Sequence, residues 1–337
     1  MSIRLSILEQ SMLSEGQTAK EALDKTVEMA KLADELGFER FWVAEHHGSR
    51  KLASSTPEIL MAHIANETER IRIGSGGVML PHYSPYKIAE NFKLLEALYP
   101  GRIDAGVGRA PGGSQLVHYA LREGQPRNVD VFPDQVKELR SYLNDDVTGA
   151  KLHPKLYAAP EIDTKPRVWM LGSSPSSAQL AAEQGLPYMY AQFISGSEAI
   201  GTYATSLYHQ QYNRAGEEDT PENAVSIFFA CAETEEEAER IAQGFDYSML
   251  WLETGKTSEG TPSPETIAAY NASPSEIARM KQNRSRMIVG TPQSAKRQIE
   301  ALAEKYAAKE VMLVMITYDY DDKLEAYRLI AKEMLDA

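Results

Sequence analysis

Glycine, serine and arginine meet in two short segments whose composition suits the binding of a phosphate group. Residues 171–177 read Leu-Gly-Ser-Ser-Pro-Ser-Ser, and residues 106–113 hold one arginine among four glycines. A helix N-terminus and serine hydroxyls attract anions, and a guanidinium binds phosphate as a fixed fork of donors. The predicted members of this anion site are Arg109, Gly172, Ser173, Ser174 and Ser177. Plainer interpretations stay open, in which Ser174 only caps a helix and Arg109 forms an ordinary salt bridge.

Three adjacent polar residues, Glu45, His46 and His47, directly follow a predicted strand. Imidazole titrates near neutral pH, so one histidine could act as a general acid or base. Neighbouring side chains that leave a strand diverge, which places the two histidines in different surroundings. A histidine bonded to a backbone carbonyl is an equally good interpretation of either one. Zinc is disfavoured, because the sequence has no His-Glu-x-x-His motif and no other histidine at ligand spacing.

A glycine-rich segment, Gly74-Ser75-Gly76-Gly77, follows the next predicted strand. Such a backbone either turns sharply at a barrel corner or lets a flat ligand lie against the main chain. The glycines of residues 106–113 do not form a dinucleotide-binding fingerprint. Pro111 stands where the third glycine of that fingerprint is required, and no helix can start cleanly there.

Eight predicted strands, each followed by a helical pattern, must position these segments. Apolar runs mark the strands at residues 3–8, 40–44, 71–75, 102–107, 167–171, 187–191, 224–230 and 311–316. Strict alternation predicts a parallel sheet, and eight units in 337 residues favour one closed (β/α)8 or TIM barrel domain over residues 1–337. An open doubly wound sheet is the alternative. In a closed barrel the active site lies at the C-terminal strand ends, where all these segments fall.

The composition shifts between residues 253 and 286 to Gly, Pro, Ser, Thr and charged residues. Helix-start signals within it stand at Ser263–Pro264 and Ser273–Pro274. We interpret this region as an insertion over the barrel mouth. It is either a mobile lid that shields the site from water or a solvated excursion.

The formal net charge of −13 disfavours nucleic acid or an anionic membrane as a partner and favours a small molecule. A single cysteine, Cys231, excludes an intramolecular disulfide and a thiolate metal cluster. The first ten residues lack the layout of a signal peptide, and no apolar stretch approaches the length of a membrane span. These features predict a cytoplasmic protein.

Several ordered motifs resemble the bacterial luciferase-like monooxygenases, and most closely the alkanal monooxygenase-like oxidoreductases among them. The motifs are Leu5–Ser11, Phe41–His47, Ile71–Pro85, Pro100–Asp104 running into Gly108–Gly112, and Trp169–Ser174. Each alone is weakly specific. Together they cover most of the chain, most densely before residue 195.

The resemblance implies a TIM barrel, usually dimeric, that holds FMN. The phosphate would lie at the Arg109 loop and the Ser173–Ser174 helix start. The isoalloxazine would lie against Gly76–Gly77, where relatives often carry a non-proline cis peptide bond. His46 matches the first histidine of the family's pair and would be the catalytic acid–base group, with Glu45 or His47 orienting it.

The activity that the resemblance implies is oxygenation of a small organic substrate, such as an aldehyde-like compound, by reduced FMN and O2. A separate NAD(P)H:flavin reductase would supply FMNH2, because no NAD(P)H-binding loop is recognisable. A homodimer would form through the second and third helices. Two alternatives stay open: an F420-dependent hydride-transfer oxidoreductase on the same barrel, and a non-catalytic flavin-binding protein.

Overall fold

Parallel strands close into a barrel in the computed structural model, which describes residues 3–124, 130–146, 156–212 and 220–335. In chain order the strands are β1 Arg4–Glu9, β2 Arg40–Val43, β3 Arg72–Ser75, β4 Val78–Met79, β5 Ile103–Gly108, β6 Arg167–Gly172, β7 Tyr188–Ala191, β8 Asn223–Cys231, β9 Met287–Gly290 and β10 Glu310–Val314. The ring contains eight strands, because β10 pairs with both β1 and β8 while β4 and β9 lie off the ring path. The predicted TIM barrel is confirmed.

Helices connect successive strands and cover the outside of the barrel. They are α1 Ala19–Glu35, α2 Pro57–Asn66, α3 Pro85–Leu98, α4 Gln115–Leu121, α5 Phe132–Leu143, α6 Pro175–Glu183, α7 Gln192–Ser195, α8 Glu198–Gln211, α9 Glu235–Thr254, α10 Pro264–Ala269, α11 Pro274–Asn283, α12 Pro292–Lys305 and α13 Tyr320–Met334. Six of these begin at a proline that follows a serine or threonine. Proline has the backbone angle of the first helical turn and lacks an N–H that would be unpaired there.

All eight predicted strands are present within two residues of their predicted limits. The unit formed by β9 and α12 was not predicted, and neither was β4. The four residues of β9 pair only with the end of β8, outside the ring, and they directly follow the insertion. A run this short carries too little pattern to be recognised as a strand. Part of the irregular stretch predicted at 144–166 lies outside the described residues.

Charged side chains fill the N-terminal end of the barrel. The guanidinium of Arg40 donates to Glu310 at 2.9 Å and to Asp104 at 2.8 Å, and all three side chains are fully buried. The ring of Trp169 covers the same guanidinium, with its centroid 4.6 Å from Cζ. This charged cluster closes the N-terminal end, so space for a ligand is found at the other end.

The predicted insertion packs against the loop that follows β1. The N–H of Thr261 donates to the carbonyl of Leu13 at 2.8 Å, and the carbonyl of Thr261 accepts from the N–H of Glu15 at 2.9 Å. The insertion therefore borders the barrel mouth, while its movement as a lid stays a prediction. In the ranges given above, no helix has both the length and the apolar character needed to cross a bilayer.

Candidate active site at the mouth of the barrel

A cavity of about 530 Å³ opens at the C-terminal ends of the strands. Seven of its lining residues are those that the sequence predicted to bind a cofactor: Gly76, Gly77, Arg109, Gly172, Ser173, Ser174 and Ser177. The structure thus brings together residues from the ends of β3, β5 and β6. His46 is not among the described residues that line this cavity, and it lies on the neighbouring loop after β2.

One end of the cavity combines a guanidinium with the start of α6. Nη2 of Arg109 donates to Oγ of Ser176 at 3.3 Å. Oγ of Ser174 accepts from the N–H of Ser177 and caps the helix. A Cβ added to Gly172 would stand 2.1 Å from Oγ of Ser177, so glycine allows β6 to pass this close to the helix. A helix N-terminus beside an arginine is an arrangement that suits a phosphate group.

The cavity wall beside β5 consists of the glycine backbone at Gly76, Gly77 and Gly108, which carries no side chains. The peptide bond between Gly76 and Gly77 is cis, in agreement with the resemblance, and the N–H of Gly76 donates to the carbonyl of Val43 at 2.8 Å. A Cβ added to Gly77 would lie 2.7 Å from the carbonyl oxygen of Gly106, so the two backbones pack without room for a side chain. At Gly108 an added Cβ would meet no atom within 4 Å. A planar ring can approach such a surface closely.

Apolar side chains form most of the remaining wall. The principal ones are Leu8, Trp42, Met79, Met189, Phe193 and Met312. Pockets of this kind exclude water from a bound ligand and leave orientation to a few polar groups. The cavity therefore suits a ligand that has an anionic end and a large apolar or aromatic body.

His46 is partly buried on the loop after β2. Burial lowers the pKa of its imidazole, and the neighbouring His47 lowers it further. The ring is therefore neutral at pH 7 and able to accept a proton. Among the described residues no hydrogen bond occupies its ring nitrogens.

Glu45 has different partners from those that the sequence suggested. Its Oε1 accepts from Nε2 of His47 at 2.7 Å and from the hydroxyl of Tyr83 at 2.8 Å. Its Oε2 accepts from the N–H of Met79 at 3.0 Å. The expectation that Glu45 orients His46 directly is thus not supported by these contacts. The two histidines do have different surroundings, as their adjacent positions predicted.

Sequence reasoning missed several residues of the site. Gly108 and Met79 line the cavity, and Ser176 binds Arg109. Gly108 precedes Arg109 and Ser176 lies between two predicted members, so neighbourhood alone could have indicated both. Met79 and Tyr83 meet Glu45 only through the fold, and no spacing in the sequence indicates these contacts.

Comparison with known proteins places this chain in a family. The chain belongs to the luciferase-like monooxygenase family, which it matches over residues 3–309. The Bacillus subtilis (strain 168) protein YwcH is 49% identical over 334 residues, covering 99% of this chain and 100% of YwcH. The N-acetyl-S-alkylcysteine monooxygenase of the same strain is 36% identical, with 99% of each chain covered. The crystal structure of apo-MsnO8 is 37% identical, with a TM-score of 0.91 and 98% of each chain covered.

Two more distant solved structures share the barrel and differ in the cofactor that their names give. The oxygenating constituent of 3,6-diketocamphane monooxygenase from Pseudomonas putida, solved with FMN, is 20% identical, with a TM-score of 0.73 and 99% and 98% coverage. An F420-dependent secondary alcohol dehydrogenase is 16% identical, with a TM-score of 0.72 and 99% of each chain covered. The oxygenase component of a flavin-dependent trigonelline monooxygenase from Acinetobacter baylyi (strain ATCC 33305 / BD413 / ADP1) is 24% identical over 277 residues, covering 77% of this chain and 75% of that protein. These structural likenesses show the fold alone, while family membership supports an oxidoreductase of the monooxygenase type.

Proposed function

We propose that this protein is a monooxygenase that uses reduced FMN and O2 to oxygenate a small organic substrate. One oxygen atom of O2 enters the substrate, the other leaves as water, and reduced FMN is oxidised to FMN. The observation that carries the proposal is a single cavity that joins Arg109 and the start of α6 to the bare backbone of Gly76–Gly77.

The residues present fit FMN in both charge and shape. Arg109 and the N-terminus of α6 would hold the phosphate, and the main chain at Gly76, Gly77 and Gly108 would face the ring. The apolar wall would exclude water from the reacting groups. When bound, FMN supplies the redox chemistry that protein side chains lack. His46 would accept or return a proton at a ring nitrogen.

We propose that reduced FMN comes from a separate NAD(P)H:flavin reductase. Pro111 interrupts the glycine-rich loop where a dinucleotide-binding fingerprint would need its third glycine. The trigonelline relative is named as an oxygenase component, which supports an oxygenase that is separate from its reductase. The oxygenase would then take up a diffusible reduced flavin at the barrel mouth.

We also propose a homodimer that forms through α2 and α3. Ile59, Leu94 and Leu98 on these helices are 73%, 54% and 57% exposed. They border a groove of about 990 Å³ that Glu58 and Lys87 also line. A surface with exposed apolar area and both signs of charge can pair with its own copy about a twofold axis. Sedimentation should show a dimer for the wild type and a monomer for Leu98→Glu; a monomeric wild type would contradict the proposal.

The activity is tested with reduced flavin and isotopically labelled oxygen. The protein is incubated with FMN, NADH, a flavin reductase, ¹⁸O₂ and a panel of aldehydes, ketones and thioethers. We expect a product that carries one ¹⁸O atom and forms only when FMN and the reductase are both present.

A parallel reaction with reduced F420 separates the alternatives. Product formation from reduced F420 without O2 would identify a hydride-transfer enzyme and overturn the proposal. Tight binding of FMN without conversion of any substrate class would favour a flavin-binding protein instead.

A further inference from the structure

The carboxylate of Glu45 connects segments that form different walls of the cavity. Glu45 is 1% exposed and accepts hydrogen bonds from His47, Tyr83 and Met79. Met79 lies in β4, two residues after Gly77, and Tyr83 follows four residues later. A single buried carboxylate therefore joins the loop that carries His46 to the segment that carries the Gly76–Gly77 wall.

The same contacts reach the loop of Arg109. Met79 pairs with Gly108 in the register of β4 and β5, and Gly108 directly precedes Arg109. The N–H of His47 donates to the carbonyl of Gly112 at 2.8 Å, which ties the loop after β2 to the loop after β5. The loops after β2, β3 and β5 thus meet around the Glu45–His47 pair.

Tyr83 stays a hydrogen-bond donor to Glu45 at neutral pH. Burial raises the pKa of Tyr83 well above its usual range, and the nearby carboxylate of Glu45 adds to that rise. The phenol therefore keeps its proton at pH 7 and donates to the carboxylate, and the backbone N–H of Met79 donates to the other oxygen. Hydrogen bonds to an ionised acceptor are stronger than those between neutral groups, and their loss in a buried place is costly.

We propose that Glu45 is a positioning residue for the cavity. Its carboxylate holds the loop of His46 against the Gly76–Met79 wall and, through His47, against the loop of Arg109. Glu45 does not line the cavity among the described residues, so it acts through the segments that do. The link to catalysis rests on the proposed function, whereas the link between the segments does not.

The test compares Glu45→Ala with a matched control, Asp34→Ala. The carboxylate of Asp34 is also buried and also accepts backbone hydrogen bonds, from Glu69 and Ile71. Those two N–H donors lie just before β3, at the N-terminal end of the barrel. Loss of either carboxylate should lower the thermal midpoint, but only Glu45 is connected to the cavity wall.

Two measurements are made on the full-length variants: hydrogen exchange of the peptide covering residues 76–83, and the Kd of oxidised FMN by fluorescence titration. Glu45→Ala should speed exchange of that peptide about tenfold or more and weaken FMN about tenfold, the factor expected for one lost hydrogen bond to a charged acceptor. Asp34→Ala should leave both values at the wild-type level. Glu45→Gln, which keeps an acceptor for Met79, should fall between wild type and Glu45→Ala.

The proposal is overturned if residues 76–83 of Glu45→Ala exchange hydrogen at the same rate as in the wild type. It is also overturned if they exchange faster while the Kd of FMN stays unchanged. If Asp34→Ala loses as much FMN affinity as Glu45→Ala, the loss reflects general destabilisation of the protein, and the proposal is overturned as well. If Glu45→Ala does not fold, Glu45→Gln takes its place, with about threefold changes expected in the same direction. If the wild type does not bind FMN, the proposed function fails, and the exchange measurement alone decides whether Glu45 holds the segments together.

Discussion

The proposed acid–base role of His46 predicts how product formation depends on pH. Burial and His47 lower its pKa, so the neutral form persists below the usual value of about 6.5. We therefore expect kcat for organic product to be lost only as the pH falls below about 6.5. His46→Gln should lower kcat about 100-fold or more and remove this acid limb. A pH profile of product formation, recorded over about two pH units on either side of neutrality, measures both effects.

The exposed histidine of α2 provides the control for that profile. His63→Gln should leave kcat and its pH dependence unchanged, because His63 lies on the surface away from the cavity. An acid limb that survives in His46→Gln would assign the titration to another group and contradict the role of His46.

Residue types and their order predicted polar residues that line the cavity, but not the partners of the polar residues around it. Arg109 and Ser174 stand beside glycines at strand ends, so their position at the cavity could be predicted from the sequence. The partners of Glu45 could not be predicted from the sequence, because Glu45 meets Met79 and Tyr83 only after β2 and β3 have paired. Side-chain direction at a strand end depends on that pairing, which no local spacing encodes.

Among the elements, the start of α6 has a structural role as a capped helix end and a proposed role in binding the phosphate. Ser174 caps α6 and lines the cavity, whereas Ser273 caps α11 in the same way within the insertion. Ser174→Ala and Ser273→Ala should each lower the free energy of unfolding by about 1 kcal/mol in urea titrations. Only Ser174→Ala should weaken the binding of FMN, by about threefold or more, because only α6 faces the end of the cavity where we propose that the phosphate binds. Equal FMN affinity in the two variants would assign Ser174 to capping alone.

The elements themselves were largely predictable, for physical reasons that differ between them. Strands of the ring are buried on both faces and appear as continuous apolar runs, and proline after serine or threonine marks helix starts. β4 continues β3 beyond the cis Gly76–Gly77 bond as two residues, too few to show a pattern. β9 has only four residues and pairs outside the ring, so its pattern is too short to recognise, whereas Thr291–Pro292 is a readable start signal for α12 that the sequence interpretation overlooked.

For the whole molecule, the barrel depends on the charged cluster that closes its N-terminal end. Arg40 from β2 holds carboxylates of β5 and β10, and all three groups are fully buried. Arg40→Met would leave Asp104 and Glu310 short of a buried cation and should cost about 3 to 5 kcal/mol of unfolding free energy. Urea unfolding measures this loss. Arg328→Met, which removes a surface pair with Glu325, should cost about 0.5 kcal/mol or less, and equal losses in the two variants would contradict the importance of the cluster.

The central claim is that one cavity at the barrel mouth seats a phosphorylated flavin, with its phosphate at Arg109 and α6. Titration of the wild type and Arg109→Ala with FMN and with riboflavin, which lacks the phosphate, tests it most directly. We predict that the wild type binds FMN at least about tenfold more tightly than riboflavin, the effect of one charge-assisted phosphate contact. Arg109→Ala should lose that preference while its riboflavin affinity stays unchanged. Equal affinity of the wild type for the two flavins, or an unchanged preference in Arg109→Ala, would contradict the claim.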